Sequence, residues 1–136
     1  MSQAGMDEGA QGHPANVIGV LGAGTMGAGI AQLAARSGAQ TLLYDPIAEA
    51  LEKGRDRALE GLRREAAKGR LDAAEAQAAG ERLSTVAELE ALADCELVIE
   101  AVPERLELKH QIYSRLSEIL SERCVLASNT SSLPIT

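Results

Sequence analysis

Aromatic residues are nearly absent from this sequence, which has two Tyr, no Phe and no Trp in 136 residues. A core built on large rings is therefore excluded. It must come from Ala, Val, Leu and Ile packed closely, with Ala and Gly permitting tight helix–sheet contacts. Positive charge is also scarce: 13 Lys and Arg against 20 Asp and Glu leave a net charge of -7. An acidic field with no basic run excludes a nucleic-acid partner held by general electrostatics. No apolar stretch approaches the ~20 residues of a membrane span, so no membrane partner is expected. The only cysteines, Cys95 and Cys124, form no CxxC and no Cys/His cluster. No metal site is expected, and both read as reduced thiols of a cytoplasmic protein. Met1 to Ala15 is polar and Gly-rich, without the apolar stretch of a signal peptide or the arginines of a transit peptide. It reads as a disordered leader (1–15) ahead of a single domain over 16–136.

What is present is a regular alternation. Asn16 to Leu21 is a short apolar run ending in glycine, which suits a buried parallel strand. Thr25 to Ser37 reads as a helix stopped by Gly38, and Gln40 to Tyr44 as a second strand closed by Asp45-Pro46. Ile47 to Lys68 is a long charged helix with Leu51, Ala58, Leu62 and Ala66 on its inner face. Gly54 and Gly61 should weaken it by roughly 1 kcal/mol each relative to Ala, so packing must hold it. Leu71 to Gly80 follows as a shorter helix with Asp72 as N-cap, then Leu83 to Val86 as a strand and Ala87 to Ala93 as a helical turn. Glu96 to Val102 is the next buried strand, Arg105 to Ser121 an amphipathic helix, Cys124 to Ala127 the last strand, and Ser128 to Thr136 polar loop. The fold class expected is α/β, a Rossmann-like doubly wound parallel sheet.

Gly22-Ala23-Gly24-Thr25-Met26-Gly27 fits GxGxxG. The pattern is weak alone, but here a strand precedes it, a helix follows it and an acid ends the next strand. Gly22 allows a tight turn, Gly24 lets the backbone approach a pyrophosphate, and Gly27 lets the helix lie close to the strand. The helix start, with Ala23, Thr25 and Met26, offers N–H groups and roughly half a unit of positive charge to phosphates. An acidic domain can therefore bind a dianionic cofactor. Asp45 lies 23 residues after Gly22. Its carboxylate can accept both hydroxyls of an adenosine ribose. It would repel a 2′-phosphate by about 4 kcal/mol per charge pair at ~4 Å and an effective dielectric of ~20. The cofactor expected is NAD rather than NADP.

The stretch from Gly22 to Gln32 resembles the opening of the 3-hydroxyacyl-CoA dehydrogenase family. Val98-Ile99-Glu100-Ala101-Val102-Pro103-Glu104 and Ala127-Ser128-Asn129-Thr130-Ser131-Ser132-Leu133 are similar to two later family motifs, in the same order and spacing. The resemblance implies oxidation of the 3-hydroxyl of a (3S)-3-hydroxyacyl-CoA to a ketone, with hydride passing to NAD. It implies that Glu104 and Lys109 touch the cofactor near its nicotinamide half. Ser131 would lie between the nicotinamide and the substrate's 3-oxygen as a catalytic residue touching both, with Asn129 shaping its loop. Lys68 matches a position that contacts the CoA phosphates. The serine used with it in the family is Gly61 here, a departure that weakens a CoA contact on this arm.

The resemblance also implies a general-base histidine after the serine motif and a helical C-terminal domain that orients it. Neither His13 nor His110 sits at that position. The chain is therefore expected to be truncated before that domain and to bind NAD without turning over substrate by itself. An uncovered sheet edge should promote a homo-oligomer. Two alternatives stay open: an NAD-sensing module that catalyses nothing, and a dehydrogenase of a hydroxyacid not carried by CoA.

Overall fold

The apolar run Val17–Leu21 pairs with a strand on each side, and this decides the architecture. The computed structural model describes residues 17–101 and 106–128. Strands β1 (Val17–Leu21), β2 (Gln40–Tyr44), β3 (Leu83–Val86), β4 (Leu97–Glu100) and β5 (Val125–Ser128) form one sheet of five. Across the sheet the order is β3, β2, β1, β4, β5, and every neighbouring pair is parallel. Parallel neighbours cannot be joined by tight turns, so helices fill the crossovers. These are α1 (Thr25–Arg36), α2 (Ala48–Ala67), α3 (Ala73–Arg82), a 3-10 turn at Leu89–Leu92 and α4 (Leu106–Ile119). No helix among the described residues is long and apolar enough to cross a membrane.

Side chains alternate between the two faces of each strand. Ile18, Val20 and Leu43 join α1, α2 and α3 in one core, with Ala31, Ala35, Ala58 and Leu62. Leu21 and Val98 join the 3-10 turn and α4 in the other, with Leu92, Ile112 and Leu116. Helix α1 buries only small residues (Gly27, Ala28, Ala31, Ala34 and Ala35), which is how a sequence so poor in aromatics keeps its layers close. The leader, Asn16, Val102 to Arg105 and Asn129 to Thr136 lie outside the described residues.

Helix α2 changes the meaning of two glycines. Its buried stripe is Gly54, Ala58, Gly61 and Leu62, spaced for one helical face. A Cβ on Gly54 would overlap Ala23, and one on Gly61 would overlap the Gln32 amide. Both positions, expected only to weaken the helix, are points of closest approach. The Gln32 amide donates to Glu65 at 3.1 Å and Arg36 donates to the same carboxylate at 2.7 Å, tying α1 to α2. Of the inner-face residues read from the sequence, Ala58 and Leu62 are buried, while Leu51 and Ala66 are partly so. Helix α3 starts at Ala73 rather than Leu71, because Asp72 caps it: Glu75 accepts the Asp72 N–H at 3.2 Å.

Candidate functional site

The connections leaving β1 and β4 go to opposite faces of the sheet, α1 to one and α4 to the other. Such a divergence opens a crevice at the C-terminal ends of the two strands. Two backbone bonds frame it: the Gly22 N–H donates to the Tyr44 carbonyl at 2.7 Å, and the Ala101 N–H to the Leu21 carbonyl at 2.8 Å. Gly22 sits at φ +100, where an L side chain would be strained. Gly27 has no room for one: its Cβ would overlap the Gly22 carbonyl oxygen. Gly24 is different. It is exposed, and an added Cβ would meet no protein atom within 4 Å. That open cradle above the backbone is the form a pyrophosphate needs.

Helix α1 begins here with Gly24 as N-cap, no side-chain cap and no acidic residue in its first turn. The helix's own bonding begins with the Ala28 N–H, which donates to the Gly24 carbonyl at 2.8 Å. Its positive end is thus uncompensated by acidic side chains of its own first turn, which suits an anionic ligand. Thr25 and Met26 are exposed at this end.

Asp45 does two jobs at the end of β2. One carboxylate oxygen accepts the Ala23 N–H at 2.9 Å, and the other accepts the Ile47 N–H at 2.9 Å. A carboxylate offers about four acceptor positions, so capacity remains for two ribose hydroxyls. The residues present therefore fit a dinucleotide with a free 2′-hydroxyl. Beside it, burial raises the Tyr44 phenol above its ordinary range and Asp45 adds to that, while Arg115 opposes both.

The sequence-derived candidates Gly22, Ala23, Gly24, Thr25, Met26, Gly27 and Asp45 thus converge on one crevice. Lys68 does not. It is exposed at the far end of the 20-residue α2, roughly 30 Å of helix from Asp45. A groove between α2 and α3 is lined by Leu59, Leu62, Ala66, Ala73 and Ala76, with Arg63 and Gln77; Lys68 is not on it. Lys109 lies in α4, and its side chain falls outside the described residues. Glu104, Asn129 and Ser131 lie outside them entirely. Among the described residues no cluster could hold a metal ion.

Two features escaped the sequence reading. Glu100 is a carboxylate with no exposure, at the tip of β4 beside the crevice, and the Tyr113 hydroxyl donates to it at 3.1 Å. Its signal was an acid inside the run Leu97 to Val102. The second is Gly54, whose signal was a pair of glycines seven residues apart in one helix.

Comparison with known proteins agrees with this geometry. A family model described as "3-hydroxyacyl-CoA dehydrogenase, NAD binding domain" matches residues 17–136. The chain is 44% identical over 119 residues to a 3-hydroxyadipyl-CoA dehydrogenase of Escherichia coli, covering 88% of this chain and 25% of that protein. It is 41% identical over 119 residues to a probable 3-hydroxybutyryl-CoA dehydrogenase of Deinococcus radiodurans, covering 88% of this chain and 42% of the relative. A crystal structure of 3-hydroxybutyryl-CoA dehydrogenase from Escherichia coli superposes with a TM-score of 0.85 at 42% identity, over 91% of this chain and 26% of that one. The chain thus spans less than half the length of each of these relatives.

Proposed function

This chain belongs to the 3-hydroxyacyl-CoA dehydrogenase family, matching its NAD-binding domain, and on that premise we propose how its residues share the work. The loop Gly22, Ala23, Gly24, Thr25, Met26 and Gly27 cradles the pyrophosphate, and Asp45 holds the adenosine ribose and rejects a 2′-phosphate. The observation that carries this is the open backbone at Gly24 at the start of α1, with the Asp45 carboxylate bonded to the adjacent Ala23 N–H at 2.9 Å. Glu104 and Lys109 face the nicotinamide half, Ser131 bonds the substrate's 3-oxygen, and Lys68 reaches the CoA phosphates.

The bound dinucleotide supplies the two-electron acceptor for oxidation of a 3-hydroxyacyl-CoA to the 3-oxoacyl-CoA. The substrate class is supported by relatives named for 3-hydroxyadipyl-CoA and 3-hydroxybutyryl-CoA. This reading gives the chain's own residues binding and orientation rather than proton transfer, so the chain alone binds NAD without turnover. A cytoplasmic location belongs to the same proposal and is tested by fractionation. So does self-association, supported by the exposed Val125 and Leu126 on the outer strand β5 of the described sheet. A strictly monomeric mass across a concentration series counts against it.

The main test is a calorimetric titration of the chain with NADH and, in parallel, NADPH. Saturable NADH binding with NADPH weaker by at least about tenfold is expected. Equal binding of both removes the role given to Asp45. No binding of either by a folded chain overturns the reading.

A further inference from the structure

We propose that Gly54 is the positioning residue for the pyrophosphate loop: its bare backbone lets α2 seat against Ala23 and so fixes how far the loop's N–H groups stand from the Asp45 carboxylate. The inference deepens the NAD-binding reading and rests on it.

Gly54 is buried, and so is Ala23, at 1% exposure. A Cβ on Gly54 would overlap the Ala23 carbonyl oxygen and lie 2.6 Å from the Ala23 Cβ and 3.1 Å from its carbonyl carbon. These are backbone and stub atoms that no rotamer change can move aside. Either the loop or the helix must shift. The loop has little freedom to do so alone. The Ala23 N–H is held by one oxygen of Asp45 at 2.9 Å, and the other oxygen holds Ile47, the N-cap of α2, at 2.9 Å. Asp45, Ala23, Gly54 and Ile47 therefore form a closed mechanical circuit. A push at Gly54 opens the Asp45–Ala23 bond or tilts α2, and either changes the spacing between the phosphate-facing and ribose-facing groups.

Gly61 supplies the control. It lies seven residues on, on the same buried face. The nearest atoms a Cβ there would overlap are those of the Gln32 terminal amide, a flexible group that can rotate away at the cost of its bond to Glu65. Gly→Ala raises intrinsic helix propensity by the same amount at both positions, about 1 kcal/mol. Propensity and general helix stability thus predict equal effects, while the positioning role predicts a loss at Gly54 and none at Gly61.

The experiment compares Gly54→Ala and Gly61→Ala in the full chain, titrated with NADH, ADP-ribose and AMP, with amide exchange read at Ala23. Gly54→Ala should weaken NADH and ADP-ribose, which carry a pyrophosphate, by about tenfold or more, and weaken AMP much less. The Ala23 amide should exchange about tenfold faster. Gly61→Ala should leave the three affinities and the exchange rate at parental values. Parental NADH affinity and Ala23 exchange in Gly54→Ala overturn the proposal, and so do equal losses in both variants. Should Gly54→Ala fail to fold, Ala23→Gly in its place, which removes the methyl that Gly54 seats against, should weaken NADH and ADP-ribose and speed exchange at position 23; parental values in that variant overturn the proposal. A parent chain that binds no NADH removes the function reading instead, and the exchange comparison alone then decides the placement.

Discussion

The carboxylate of Asp45 accepts the backbone N–H of Ala23 at 2.9 Å, across 22 positions of sequence. The group proposed to hold the ribose therefore also pins the loop proposed to cradle the phosphates. Replacing Asp45 by Asn keeps an acceptor oxygen for the loop and removes the charge. Asp45→Asn is expected to narrow the preference for NADH over NADPH by about tenfold or more, since even half of a ~4 kcal/mol repulsion exceeds one decade. Paired titrations measure it, and an unchanged ratio would place the selectivity elsewhere.

The glycines at 24 and 27 should respond in opposite ways. Gly24 has φ -73, open to any residue, and free space around its Cβ position. Gly24→Ala is expected to cost no more than about 1 kcal/mol of stability, the ordinary difference between the two residues at an N-cap, and to lose NADH affinity by at least about tenfold, because only the ligand meets the new methyl. Gly27→Ala places a methyl on the Gly22 carbonyl oxygen. It should destabilise the fold by about 1–3 kcal/mol, seen as a lower denaturation midpoint. Tight NADH binding by Gly24→Ala would show that the open space is not where the cofactor lies.

Burial, with smaller help from Cys124 and Asp94, pushes the Cys95 thiol up to about 12. In the unfolded chain it titrates near ~8.5. The folded value is the higher one, so this stabilisation is fully present below about pH 8.5 and drains away as pH climbs toward 12. The slope approaches about 1.4 kcal/mol per pH unit within that window. Burial raises the Cys124 thiol too, in the same sense. Denaturation midpoints should fall between about pH 8.5 and 10, and Cys95→Ala should flatten the profile. A flat profile in the parent would mean that the thiol is not shielded.

Much of this arrangement was legible because its signals are local. The order of strands and helices follows from apolar runs separated by glycine, Asp-Pro and charged stretches. The loop from Gly22 to Gly27 announces itself through bare backbone at fixed offsets, and Asp45 through its place after the next strand. Element ends were less legible. The strand read from Glu96 starts at Leu97, and the helix read from Leu71 starts at Ala73, since apolar residues flank an element as readily as they fill it. Gly54 was misjudged for a different reason. Propensity sees only a helix weakened by glycine, while its value lies in contact with Ala23, 31 positions away and set by tertiary packing alone. Glu100 hid similarly: its hydroxyl partner, Tyr113, sits on the next helix rather than the next residue.

The central position of β1 has a consequence for how the site comes into being. Its first partner, β2, follows within a short stretch, but its second, Leu97–Glu100, is translated some 76 residues after Leu21. At roughly 5–20 residues per second, one flank of the innermost strand waits on the ribosome for about 4–15 seconds. Until β4 emerges, the Leu21 carbonyl lacks the Ala101 N–H, and the crevice has only one wall. The glycine loop is synthesised well before its surroundings are finished. A nascent chain halted in that interval carries the cofactor's signature without its pocket.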